Sequence, residues 1–379
     1  MKWINSFLVV LLISIAACKP ANKQETSVED QTAASLEVKY AKGFEIKKLS
    51  NASGYQLIIK NPWPGSDLVQ QFNLINESAM APADRSAIQI PVKDLVATST
   101  THITPLVLLD ATNQLAGFPG MDYISSPEVR QLIDAGTVKE LGVNESLNVE
   151  RVIDLAPDVL IGYGIDGTNP EYDMIARAGI PIVFNADWTE QHPLGRAEWI
   201  KVFGVLLDKE KEALEIFNQI ERDYLEAAKQ ASTYDRPTVM AGATWKDQWY
   251  LPYGNSWQGI LIEDAGGDYI YKDQEGDGSL SYNIETVLKD SRDADIWIAP
   301  GQYTSYNTML GDNASYKLFK AFQEKQLYTF ALRQGKTGGT IYYEEASMRP
   351  DLVLQDLITI FHSSENDDME LYFFDPLQP

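Results

Sequence analysis

Between residues 196 and 231 the chain shows helical periodicity and almost no strand signal, and on either side strand-like and helix-like segments alternate. In the helical stretch Trp199, Val202, Phe203 and Leu206 share one face, and Leu214, Phe217, Ile220 and Tyr224 share another. Asp208 is placed to cap the second helix, with Glu210 in the first turn, where a carboxylate complements the helix dipole. The spacing predicts a helix over 209–231, about 34 Å long at 1.5 Å per residue. That is long enough to run between two lobes.

The flanking alternation argues for mostly parallel sheets covered on both faces. Before the helical stretch the strand-like runs are 95–97, 115–117, 159–162 and 182–184, with helices from about Thr104, near 128–132, over 148–155 and over 171–178. After Pro237 they are 238–241, 295–299 and 327–330, with helices over 259–264, 284–289, 316–322 and 349–361. Two further runs, 37–46 and 55–59, read as an opening hairpin-like pair. The two halves share a local unit. The run from Glu150 to Ile161 can be laid beside the run from Glu285 to Ile298, each a glutamate opening a short helix, an acidic turn and a buried strand.

The amino terminus addresses the compartment. Lys2 precedes an apolar run, Phe7 to Ile13, too short to span a bilayer, which needs roughly 20 apolar residues. Small residues then lead to the only cysteine, and Ile15-Ala16-Ala17-Cys18 reads as a lipobox. Residues 1–17 are thus expected to be a lipoprotein signal peptide, Cys18 the lipidated residue and 18–35 a polar tether. The remainder divides into an amino-terminal α/β lobe over 36–190, a helical linker over 191–235 and a carboxyl-terminal α/β lobe over 236–379. A formal charge of −23 leaves no expectation of a nucleic-acid partner.

Catalytic and metal-binding motifs are missing from the sequence. His102, His192 and His362 are scattered singly, and there is no G-x-S-x-G, P-loop or H-E-x-x-H. Gly162-Tyr163-Gly164-Ile165-Asp166-Gly167 fits the dinucleotide pattern, with Asp187 20 residues beyond. In that motif, however, the helix begins within the glycines, whereas here Pro170 suits the first helical position after them. The loop still leaves the carboxyl end of a strand, where α/β folds place ligands.

Aromatic residues are the positive signal. Trp245, Trp249, Tyr250, Tyr253 and Trp257 crowd one short segment after the strand ending at Ala241, and Pro252, Gly254 and Asn255 mark it as a loop. Aromatic loops at the carboxyl ends of strands suit a broad, partly apolar ligand. Trp188 and Tyr163 hold the corresponding places in the first half.

From Leu95 to His362 the chain resembles the class III periplasmic binding proteins that serve iron-siderophore, haem and cobalamin importers. Five collinear stretches carry the resemblance: Ala97 to His102, Asn148-Val-Glu150 through Leu155-Ala-Pro-Asp-Val-Leu-Ile161, Ala178 to Val183, Gly266-Gly267, and Arg349 to Leu354. The resemblance implies two Rossmann-like lobes joined by a single long α-helix. It also implies that Glu150 and Glu285, one per lobe, dock onto arginines of the permease subunits of an ABC importer. The residues before Leu95 extend the family pattern and are expected to add strands to the first lobe. No ligand motif is universal in the family, so the cargo does not carry over.

The reading is of a lipid-anchored substrate-binding protein of the cell envelope, a monomer with no cofactor and no metal ligands. It takes an iron complex (siderophore or haem) or cobalamin between its lobes. Tyr163, Trp188, Trp245, Trp249, Tyr253 and Trp257 are the expected clamp, with His102, Arg196 and Tyr303 as polar contacts. The alternative is an enzyme or nucleotide-binding sensor using the Gly162–Gly167 loop.

Overall fold

A computed structural model describes residues 36–50, 54–76, 87–143, 146–167, 169–363 and 370–379. Cys18, the signal segment and the tether lie outside the described residues.

Two parallel-stranded sheets form the centres of the lobes. In the first, the strand order is Ile182–Phe184, Val159–Gly162, Leu95–Ala97, Leu115–Phe118, Lys139–Glu140, all parallel. In the second it is Asp268–Tyr269, Thr238–Ala241, Ile296–Ile298, Leu327–Thr329, with Asp375–Pro376 added antiparallel at the edge. The central strands are short and buried throughout, as expected where helices cover both faces. Every βα connection in such a sheet leaves from the same edge, so each lobe presents its loops on one side.

Helix Glu210–Ala231 joins the lobes. Its buried residues Ala213, Phe217, Ile220 and Tyr224 recur at helical spacing and pack between helices Ile200–Leu206 and Pro350–His362. Each large apolar side chain so buried contributes about 1.5–3 kcal/mol. Asp208 does not cap this helix. It takes a left-handed turn (φ 58°), and Lys209 holds the cap position without a side-chain bond.

The helix is not the lobes' only link. Glu344 of the second lobe, 1% exposed, accepts the backbone N–H groups of Ser125 (2.6 Å) and Ser126 (2.9 Å) of the first. The Thr104 hydroxyl donates to the Glu344 carbonyl, and the Ser125 hydroxyl to that of Gly339.

The residues before Leu95 form a sheet of their own instead of widening the first lobe's sheet. Its strands are Phe44–Lys48, Gly54–Lys60, Val69–Asn76 and Ala87–Ile90. It docks through Gln70, whose amide bonds the Ile182 carbonyl and the Phe184 N–H. The strand expected from residue 37 starts only at Phe44. Upstream, the backbone donors are claimed by carboxylates. Glu198 accepts the N–H groups of Lys39, Tyr40 and Ala41, and Glu190 those of Lys42 and Gly43.

The aromatic segment after Ala241 is a β-hairpin, not an irregular loop. Ala243–Trp245 pairs with Gln248–Pro252 across Lys246 and Asp247, both at positive φ (48° and 64°). That geometry is the two-residue hairpin turn usually marked by Asn-Gly. Lys-Asp carries no such mark, and strands this short show too little alternation to reveal it. Trp257 opens helix Trp257–Asp264, capped by the Ser256 side chain.

Candidate ligand cleft

The loops leaving the carboxyl ends of both sheets wall two adjoining chambers. One has a volume of about 680 Å³ and the other about 670 Å³. Thr101, Trp188, Gln302 and Tyr343 border both, forming the partition between them. The first lobe supplies the turns after Leu95–Ala97, Leu115–Phe118, Val159–Gly162 and Ile182–Phe184. The second supplies those after Thr238–Ala241, Ile296–Ile298 and Leu327–Thr329, with helix Ile341–Glu345.

Six of the nine expected contacts are brought together. Trp188, Arg196, Trp245, Trp257 and Tyr303 line the larger chamber, and Tyr163 with Trp188 lines the other. The Arg196 guanidinium lies 4.3 Å over the Trp257 ring and donates to the carbonyls of Trp188 (2.7 Å) and Glu190 (3.1 Å). Burial lowers its pKa to about 10, against the pull of Asp187, Tyr342 and Glu190, so it stays charged at neutral pH. Behind Trp257 the rings continue, with Tyr342 at 6.1 Å and Phe330 stacked on Tyr342 at 4.4 Å. Trp245 stands at the rim, 60% exposed, with the Lys246 ammonium 4.2 Å over it. Burial raises the Tyr303 phenol well above its usual range, with Asp312 and Tyr316 adding to the effect.

Three expected contacts lie elsewhere. His102 follows Thr101 into the core, fully buried, where desolvation pushes its pKa down to about 3 and keeps the ring neutral. Trp249 is the inward residue of the hairpin; it stacks on Trp297 (5.1 Å) and donates its indole N–H to Ala241. Tyr253 packs against Gly276 outside both chambers.

Beyond the nine expected contacts, Asp187, Thr101, Gln302, Tyr342, Tyr343 and Phe330 also line the chambers. For these a signal existed in four cases: Asp187, Thr101 and Gln302 lie just past the carboxyl end of a predicted strand, and Phe330 is the last residue of one. Tyr342 and Tyr343 had none, because a long connection brings them back.

The Gly162–Gly167 loop owes its glycines to packing. A Cβ on Gly164 would meet the Trp63 ring at 2.5 Å, and one on Gly167 (φ 81°) would meet it at 2.6 Å. Helix Pro170–Arg177 starts after the loop at Pro170, as the sequence predicts, and the Asn169 side chain caps it. The Trp63 ring lies against the glycine face of the loop, while Tyr163 and Ile165 line the chamber.

Glu150 and Glu285 occupy matching places. Each sits exposed in the first turn of an asparagine-capped helix, Val149–Leu155 behind Asn148 and Ile284–Ser291 behind Asn283. Each helix turns straight into a central strand of its lobe, which sets its amino terminus toward the edge bearing the cleft loops.

Among the described residues no group of three or more His, Cys, Asp or Glu could hold a metal ion, and no helix is long and apolar enough to cross a membrane. A family model described as periplasmic binding protein matches residues 95–331, the span holding both sheets and the linking helix. The chain belongs to the periplasmic binding protein family. It is a binding protein. Like other periplasmic binding proteins of known structure it is bilobed. The Fe3+-hydroxamate transport system protein of Saccharomonospora viridis matches with a TM-score of 0.57 and 14% identity, over 81% of this chain and 99% of that one. The periplasmic heme binding protein of Pseudomonas aeruginosa matches with a TM-score of 0.56 and 16% identity, over 76% and 99%. An uncharacterized lipoprotein of Methanocaldococcus jannaschii is 26% identical over 350 residues, 87% of this chain and 78% of that protein.

Proposed function

We propose that this periplasmic binding protein captures a metal complex, either an iron complex (siderophore or haem) or a corrinoid, between its lobes and delivers it to the permease subunits of an ABC importer. One observation carries the reading: the loops at the carboxyl ends of both sheets converge on chambers walled by indole and phenol rings. Such walls suit a broad ligand with large apolar faces. The Fe3+-hydroxamate and heme proteins named above support that ligand class. In this reading Tyr163, Trp188, Arg196, Trp245, Trp257 and Tyr303 touch the ligand. Glu150 and Glu285 meet the permease, and Cys18 carries the lipid that keeps the carrier outside the cytoplasm at the membrane surface. The archaeal lipoprotein supports the anchor.

Titrating the purified chain with haem, cobalamin and ferric siderophores, followed by tryptophan fluorescence, tests this directly. At least one complex is expected to bind with a Kd of about 1 µM or tighter. Binding of NAD with none of the others would overturn the reading.

A further inference from the structure

The accessory sheet before Leu95 lines neither chamber, yet it meets two of the segments that do. Trp63, on the turn between Gly54–Lys60 and Val69–Asn76, lays its ring on the Gly162–Gly167 loop. A Cβ on Gly164 would stand 2.5 Å from that ring and one on Gly167 2.6 Å, so the indole fills the space that side chains there would take. The same ring meets Phe184 edge-on at 5.4 Å. Beside it, the Gln70 amide accepts the Phe184 N–H at 3.1 Å and donates to the Ile182 carbonyl at 2.9 Å. Phe184 ends the strand that leads to Trp188, and Trp188 borders both chambers.

Three glycines in six residues leave the loop many backbone conformations, and fixing one of them costs conformational entropy. A flat ring fitted against two of those glycines gains its contact in one conformation only. A wall ordered beforehand spares the binding energy that ordering it would consume. Ile165 is 67% exposed and lines the chamber with Tyr163, so the loop presents its apolar side chains to the cleft instead of folding them away.

Resting on the proposed role of the cleft, we infer that Trp63 is a positioning residue for ligand capture. From the far side of the loop it holds Tyr163 and Ile165 in the chamber wall before the ligand arrives. The accessory sheet is then a brace for the binding site, with Gln70 fixing the neighbouring strand end.

The test titrates haemin, cyanocobalamin and ferrioxamine B into the full chain and its variants by calorimetry. For whichever probe binds, Trp63→Ala should weaken binding about tenfold, the scale on which residues without ligand contact modulate a site. Trp63→Phe, which keeps a ring on the glycines, should recover most of that loss. In a Tyr163→Ala background Trp63→Ala should cost about threefold or less, because the side chain it positions is gone; in a Trp257→Ala background the two losses should multiply. Gly164→Ala drives a methyl into the ring and should itself weaken binding about tenfold. In the Trp63→Ala background it should cost little more, since the clash is relieved. Melting temperatures identify any loss of fold, and Gly164→Ala alone carries the test should Trp63→Ala unfold. Unchanged affinity in Trp63→Ala and Gly164→Ala, or losses that multiply with Tyr163→Ala as they do with Trp257→Ala, would overturn the inference and leave the proposed function standing. Should none of the probes bind the wild type, both fall.

Discussion

The Glu344 carboxylate accepts the Ser125 backbone N–H at 2.6 Å, joining the second lobe to the first across a buried contact beside the cleft. Burial raises this carboxyl to about 7, with Glu345 adding to the effect and the Ser125 and Ser126 N–H groups and Arg130 opposing it. Because the folded pKa exceeds the usual 4.5, folding takes up a proton between those values. The contribution is complete below pH 4.5 and is lost as pH rises through 7. His102, depressed from 6.5 to about 3, acts in the opposite sense, losing stability as pH falls. The difference between wild type and Glu344→Gln therefore isolates the carboxyl. Urea melts should show that difference shrinking by about 2–3 kcal/mol from pH 5 to pH 8. A constant difference would mean that Glu344 titrates normally.

A second buried carboxylate anchors the amino-terminal segment. Glu198 and Lys201 pair at 2.6 Å with 0% and 1% side-chain exposure, and the same glutamate accepts three backbone N–H groups from Lys39 to Ala41. Removing one partner of such a pair strands the other charge in the core, typically about 3–5 kcal/mol. Glu198→Ala should destabilise by that amount. It should also speed hydrogen exchange at Lys39, Tyr40 and Ala41 beyond the change in the adjoining sheet.

The tryptophans divide by burial. Trp249 is wholly buried on Trp297, so Trp249→Ala should cost about 3–5 kcal/mol in denaturant melts. Trp257 faces the cleft with Arg196 on its ring. Trp257→Ala should cost less stability and should weaken binding of whichever metal complex the protein takes, by fluorescence titration. Equal stability losses with unchanged binding would put Trp257 in the core instead.

The docking assignment for Glu150 and Glu285 predicts a separation of binding from transport. As first-turn acids each contributes only about 0.3–1 kcal/mol to its helix, so the double alanine variant should fold and bind normally. Uptake into vesicles holding the permease should fall at least about tenfold. Unimpaired uptake would remove both residues from the interface.

The sequence determined the secondary order because its signals are local. Asn169 and Pro170 favour a helix start through contacts within their own turn, and the periodicity of 210–231 marks one apolar face along a long helix. Two buried-strand patterns flanking that helix sufficed for two lobes, and strand ends sufficed to place Tyr163 and Trp188 on a chamber wall. Tertiary structure decided which aromatic is wall and which is core. On the hairpin, Trp249 turns inward and Trp245 outward because alternate residues face opposite sides, and the Lys246-Asp247 turn that sets this parity has no sequence mark. It decided likewise that His102 turns away from the cleft while Thr101 lines it. It also decided that the glycine loop lies under Trp63 and that Glu344 reaches Ser125, 219 positions away. Each is a contact between distant segments, made only once helices and sheets have packed.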